Sequence, residues 1–272
     1  MKLLPLNLLI GGILVGSIGC VMLVGAFWTP YDPLALNFAA KLAAPSLAHP
    51  FGTDEYGRDV LSRLMRGAAA SARISLLTVL LATIFGVFLG ALTGFLRGWF
   101  DRILMAVNDA LMAFPGMLLA LGLLAVFGAN EKGIILALAL AYMSSVIRIV
   151  RGTVLSIREL EYIQASRLMG NSEFFTMLRH VLPNCLAPIT VMATSMLGWV
   201  LLAESSLSFL GLGVAPPAPT WGNMLAGSRA HIEQAMWLGI FPGLAISLTL
   251  LGVNLLGDAL RDLLDPRLRK RS

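Results

Sequence analysis

Charge is the scarcest thing in this sequence. Lys and Arg number 20 and Asp and Glu 15 among 272 residues, against 57% hydrophobic residues and a mean hydropathy of +0.82. So few charges cannot cover a particle of this size, which excludes a water-soluble globule and leaves a chain dissolved in lipid. Cysteine is almost missing: Cys20 and Cys185 lie far apart with no CxxC or Cys/His spacing, so both are read as small packing residues, not a disulfide or zinc ligands. His49 and His231 have no acidic or Cys companion at ligand spacing, and no metal site is expected. A GxxxxGK[ST] phosphate loop is absent too. The four lysines follow Met1, Ala40, Glu131 and Arg269, never Gly.

Long apolar runs are what the chain has in plenty. Six reach the length of roughly 20 residues needed to cross about 30 Å of hydrocarbon: Leu3–Phe27, Ile74–Phe95, Ile103–Phe127, Gly133–Ile149, Ile189–Phe209 and Trp237–Leu256. Lipid offers no hydrogen bonds, so these predict helices and an all-α membrane bundle of six spans. The first run follows Met1-Lys2 and resembles a secretory signal, but it is longer than the 7–15 apolar residues of a signal core and reads as an uncleaved anchor.

Most basic residues fall on one side if both termini are cytoplasmic: Arg97, Arg102, Arg148, Arg151, Arg158, Arg167, Arg179 and the C-terminal cluster from Arg261 to Arg271. Seven others would lie outside, Lys41, Lys132, Arg229 and four from Arg58 to Arg73 in and after the long loop that follows the first span. There Val60, Leu61, Leu64, Met65 and Ala68 recur at helical spacing, which predicts an amphipathic helix on the outer surface. Residues 1–70 are accordingly read as an anchor helix with an external loop and surface helix, and 71–272 as a five-helix core.

Within that core the connection at 150–188 departs most from membrane composition. Ser156 to Met169 is helix-compatible, with Ile157, Leu160, Ala165 and Leu168 on one stripe; Gly170-Asn171-Ser172 breaks it, and a second helix through Phe174, Phe175 and Leu178 ends at Pro183. Two such helices carry more apolar surface than they can bury against each other. A partner protein is implied.

Several polar and small residues interrupt the spans. Asn108 and Asp109 sit in the third span, where Phe114-Pro115 loosens the helix; Glu204 lies near the end of the fifth. Each of the two acids is either a pathway residue or a structural acceptor, since intramembrane charge faces protein or water. Gly86, Gly90 and Gly94 form overlapping GxxxG steps, and Gly12 with Gly16 another, for close packing within the chain or against a partner. The loop from Gly211 to Met236, with Pro216-Pro217-Ala218-Pro219 and Trp221, either docks a partner or plugs the bundle.

Gln164-Ala165-Ser166, three residues, Gly170, nine residues, then His180-Val181-Leu182-Pro183 resembles the EAA loop of binding-protein-dependent ABC importer permeases, with Gln164 in place of Glu and Ser166 in place of Ala. Three further stretches resemble the C-type permease subunit of the dipeptide, oligopeptide and nickel importers: His49 to Asp54 with Gly57-Arg58-Asp59, Ala203 to Leu225, and Asp258 to Leu268. The resemblance covers the chain from end to end. It implies a type I ABC importer (MetI-like) permease fold in a bacterial inner membrane, non-catalytic, forming half of a pathway for peptides or a related solute such as a nickel chelate. Implied partners are a second homologous permease, two ATPases that hold the ATP and Mg, an extracytoplasmic solute-binding protein and membrane lipid, with no nucleic acid and no cofactor on this chain. Residues Gln164, Ala165, Ser166, Gly170, Phe174, Leu178, Leu182 and Pro183 would fit a cleft on one ATPase, while Asn108, Asp109 and Glu204 stand as pathway candidates. The competing class is a secondary transporter or channel working without ATP, marked by inverted repeats with interrupted helices or paired mid-bilayer charges, neither of which is legible in the sequence.

Overall fold

With no water to satisfy them, the backbone groups of the apolar runs close their own hydrogen bonds, and the computed structural model, which describes residues 6–264, is built almost wholly of helices. Met1-Lys2, the start of the first apolar run and the end of the Asp258 to Leu268 stretch lie outside the described residues. The long helices are α1 (Leu6–Phe27), α2 (Val60–Leu96), α3 (Gly98–Ala113), α4 (Gly116–Phe127) and α5 (Glu131–Ile157). After α5 come the short α6 (Glu161–Leu168) and α7 (Glu173–Thr176), then α8 (Leu182–Phe209), α9 (Trp221–Ser228) and α10 (Trp237–Leu264).

Five helical stretches are long and apolar enough to cross a membrane: α1, α2, α5, the run Glu173–Phe209 that ends in α8, and α10. The expected third span is α3 and α4 together, bent by 100°. Pro115 supplies no N–H, and the residue before it is driven from the helical region; Phe114 sits at φ −85, ψ 137. Where the sequence predicts a loosened helix there is a break, so an interrupted span is present after all, in one place and with no counterpart elsewhere among the described helices.

The bundle is organised around the α2–α5 pair. A Cβ on Gly90 would stand 2.7 Å from the Ile147 carbonyl oxygen and 2.9 Å from Val150 Cβ; Gly86 and Gly94 meet Val146 and Val154 in the same way. These glycines let the two backbones approach until Val146, Val150 and Val154 are buried, so the first GxxxG series serves packing within the chain. Another close approach joins α1 to α10, where Gly11 meets the backbone at Gly252 and Leu256. A Cβ on Gly12 or Gly16, expected to pack within the chain or against a partner, would meet nothing within 4 Å in this chain.

The amphipathic segment of the first loop is not a separate surface helix. Val60 to Ala68 is the first part of α2, which runs through residue 70 unbroken for 37 residues, about 55 Å. Its apolar stripe is covered by protein: Val60, Leu64 and Ala68 are buried, and Leu64 packs in a cluster with Trp221, Leu201 and Ile246. Asp59 caps this helix, accepting from the Ser62 N–H at 2.8 Å. It also contacts His49 Nδ1 at 2.9 Å, so the acidic companion missing from the local sequence is supplied ten residues on by a turn. Cys185 is buried and Cys20 exposed.

Candidate functional site

Three places concentrate polar or unpartnered residues: the connection before α8, the α3–α5 contact, and the far end of α8.

At the connection, α5 ends at Ile157 and α6 begins only after Leu160, so the single helix expected from Ser156 to Met169 is two. The buried face of α6 is Ile163 and Ser166, whereas Leu168, which the sequence pattern places on the apolar stripe, is 89% exposed. Ser166 Oγ lies 3.1 Å from Thr176 Oγ1 and accepts from Asn171 Nδ2 at 3.1 Å, pinning α6 to α7. Gly170 joins them at φ +81 with open space where a Cβ would be. Its conformation, not crowding, is what calls for glycine. Ser172 caps α7 through the Phe175 N–H. Gln164 and Ala165 occupy the middle of α6, where Gln164 Nε2 donates to the Glu159 carbonyl at 3.3 Å.

Pro183 does not end the second helix. The chain passes from α7 through a π-helical turn, Met177–Val181, directly into α8, with the Leu182 N–H bonded to the Met177 carbonyl. Pro183 lacks the N–H an α-turn would aim at Arg179, and its ring crowds that carbonyl, so widening the turn keeps the rod continuous. The result is an apolar knob of Leu168, Met169, Phe174 and Leu178, all at least half exposed, on the end of a helix that crosses the whole bundle. Arg158 braces its root by donating to the Gly94 and Phe95 carbonyls at the end of α2. Burial lowers the Arg158 pKa and the nearby Arg97 and Arg167 add to the effect; the guanidinium remains charged at any physiological pH.

Two acid–arginine pairs join α3 to α5. Arg151 grips Asp101 with two bonds of 2.6 and 2.7 Å, and Arg148 meets Asp109 at 2.5 Å. The Asp109 pair is about half exposed in this chain, while Asn108 is buried and donates to the Ser144 carbonyl at 3.3 Å. These partners are remote in sequence, which is why paired charges are not legible there.

Glu204 is elsewhere. It is 0% exposed, with Ser208 Oγ at 2.9 Å and Ser71 Oγ at 3.4 Å, and it joins neither Asn108 nor Asp109. Beyond it, the Pro-rich loop leads into α9, a helix absent from the sequence expectations although Thr220 and Asn223 form a capping box that signals one. Trp221 is buried and its indole N–H donates to the Leu64 carbonyl at 3.0 Å, so this segment seals the end of the bundle. Between it and the segment Asp54 to Arg63 lies a cavity of about 500 Å³, with Arg58, Arg63, Val214, Pro217, Asn223 and Met224 in its walls.

Helices long and apolar enough to cross a membrane five times or more define a multi-pass membrane protein. The chain belongs to the family described as binding-protein-dependent transport system inner membrane component, whose profile matches residues 86–270. It is 43% identical over 259 residues to the glutathione transport system permease protein of Escherichia coli O6:K15:H31, covering 92% of this chain and 83% of that one. It is 41% identical over 249 residues to the glutathione transport system permease protein of Pectobacterium atrosepticum, covering 90% and 83%. With the dipeptide transport system permease protein of Alkalihalophilus pseudofirmus it shares 38% over 261 residues, covering 96% and 86%. The chain is thus a multi-pass permease of an ABC importer, a system that also includes ATPase and binding-protein partners.

Proposed function

We propose that this permease forms half of the pathway for short peptides, paired with a second homologous permease, driven by two ATPases docked on the Gly170 loop and loaded by an extracytoplasmic binding protein. The observation that carries this reading is the exposed knob of Leu168, Met169, Phe174 and Leu178, an apolar surface that this chain leaves uncovered at the root of α8. Gln164, Ala165, Ser166, Gly170, Leu182 and Pro183 shape that element and do not bind nucleotide; ATP and Mg belong to the ATPases. The solute class follows the relatives, which are named for dipeptide and glutathione transport. Asp109 with Arg148, half exposed on the α3–α5 face, belongs at the seam with the second permease, where charge escapes lipid.

Both termini and the Gly170 loop are assigned to the cytoplasm. Single cysteines at Asn130 and Ala218, in a background lacking Cys20 and Cys185, will be labelled by an impermeant thiol reagent on intact cells, and one at Ser172 will not. Labelling at Ser172 in sealed cells overturns the orientation.

Assembly gives an independent test. The purified chain alone will hydrolyse no ATP, and it will co-purify with a homologous permease and ATPases when these are co-expressed. Transport by vesicles that contain only this polypeptide would refute the reading.

A further inference from the structure

We propose that Glu204 is a positioning residue, a latch that makes the outer cavity move with the ATPase-side loop, and this rests on the reading of the Gly170 loop as the coupling element. From Glu173 to Phe209 the chain is one helical rod, with that loop at one end and Glu204 at the other, about 33 Å beyond Leu182. Nothing in the coupling reading requires an acid there.

The neighbours of Glu204 say what it does. No cation pairs with it among the described residues; hydroxyls surround it instead. Ser208, one turn on in α8, and Ser71 of α2 are its hydrogen-bond partners. Ser71 Oγ in turn accepts the Trp221 N–H at 3.2 Å, so one carboxylate ties α8 to α2 and, through one hydroxyl, to the start of α9. The end of α8 is gripped by further contacts as well. Gly222 and Gly213 press against Ser208 so closely that neither has room for a Cβ, and the Arg229 guanidinium lies over the Phe209 ring.

These contacts lie beneath the 500 Å³ cavity and join its two walls. One wall is the loop and helix from Gly211 to Ser228, which hang on Ser208 and Glu204; the other is the start of α2, which carries Ser71 three turns further on. A displacement of α8 by the loop at its root therefore reaches the cavity through this joint. A buried carboxylate can accept several hydrogen bonds at once, so it holds three helices together where a methyl group would hold none.

The test uses the full complex in proteoliposomes, with Cys20→Ser, Cys185→Ala and a reporter cysteine at Ala218. In the Glu204 background the labelling rate of that cysteine by an impermeant reagent will differ between the nucleotide-free and the ATP–vanadate-trapped complex by about five-fold or more. Glu204→Gln, which keeps the acceptor oxygen, will retain most of the difference. Glu204→Ala will shrink it to within about two-fold while the ATPases stay bound, a split that a general loss of stability does not produce. If Glu204→Ala does not accumulate, Ser208→Ala removes the shorter contact and will give a partial loss in the same assay. An unchanged difference in Glu204→Ala or Ser208→Ala overturns the latch and leaves the coupling loop standing. No difference in the Glu204 background overturns both.

Discussion

Gly170→Val is expected to cut coupled transport about 5–30-fold while leaving the bundle inserted and folded. Gly170 holds φ +81 between α6 and α7, and a Cβ placed on it would have no neighbour within 4 Å, so the cost of a side chain is entirely that of the backbone. A β-branched residue there meets a strain of about 1–2 kcal/mol. The loop can shed that strain only by re-angling α6 against α7, which breaks the Ser166–Thr176–Asn171 contacts and shifts the exposed Leu168 relative to Phe174. An energy of this size shifts the docked population about 5–30-fold. Uptake, ATPase activity and ATPase retention in the assembled complex are the quantities to compare. Gly170→Asn, which tolerates the left-handed region, will fall between valine and wild type, and Gln164→Ala, an exposed position with one 3.3 Å bond, will be milder still. Normal transport by Gly170→Val with its ATPases bound would mean that this loop is not the coupling element.

The second large effect is on folding. Gly90→Leu is expected to lose most of the folded protein, because its Cβ meets the Ile147 carbonyl and Val150 Cβ inside 3 Å and backbone cannot yield as a flexible side chain does. Separating α2 from α5 to admit it costs about 3 kcal/mol or more. Gly12→Leu makes the contrast. It meets nothing within this chain and should change the chain's own stability by no more than about 0.5 kcal/mol. Thermal unfolding of the two purified variants in detergent measures the difference. Equal melting temperatures would remove the α2–α5 approach from its place at the centre of the bundle.

These two glycines also show where reading the sequence succeeds. Hydropathy is a property of composition over a window, so five through-going helices and the region of the broken one are legible in the residues alone. The Gly170 stop, the Ser172 cap and the spacing to Pro183 are legible for the same reason: each is a local backbone preference. Leu168 is misplaced by the pattern because a continuous 3.6-residue period drawn across Arg158 to Leu160 ignores that the chain leaves the helix there and restarts it in another phase.

Composition and the apolar runs along the chain were enough to mark it as a membrane bundle, to give the rough number of its candidate spans and to place the break at Gly170. None of these needs knowledge of what lies across the bundle. Packing alone settled that Leu64 and Ala68 lie against Trp221, that Gly90 packs on α5 while Gly12 meets nothing within this chain, that Asp101 and Asp109 answer to Arg151 and Arg148, and that Glu204 is buried against the hydroxyls of Ser71 and Ser208. Each is a contact between residues distant in the chain. A helical pattern states which residues share a face, and what covers that face is settled only when the helices meet.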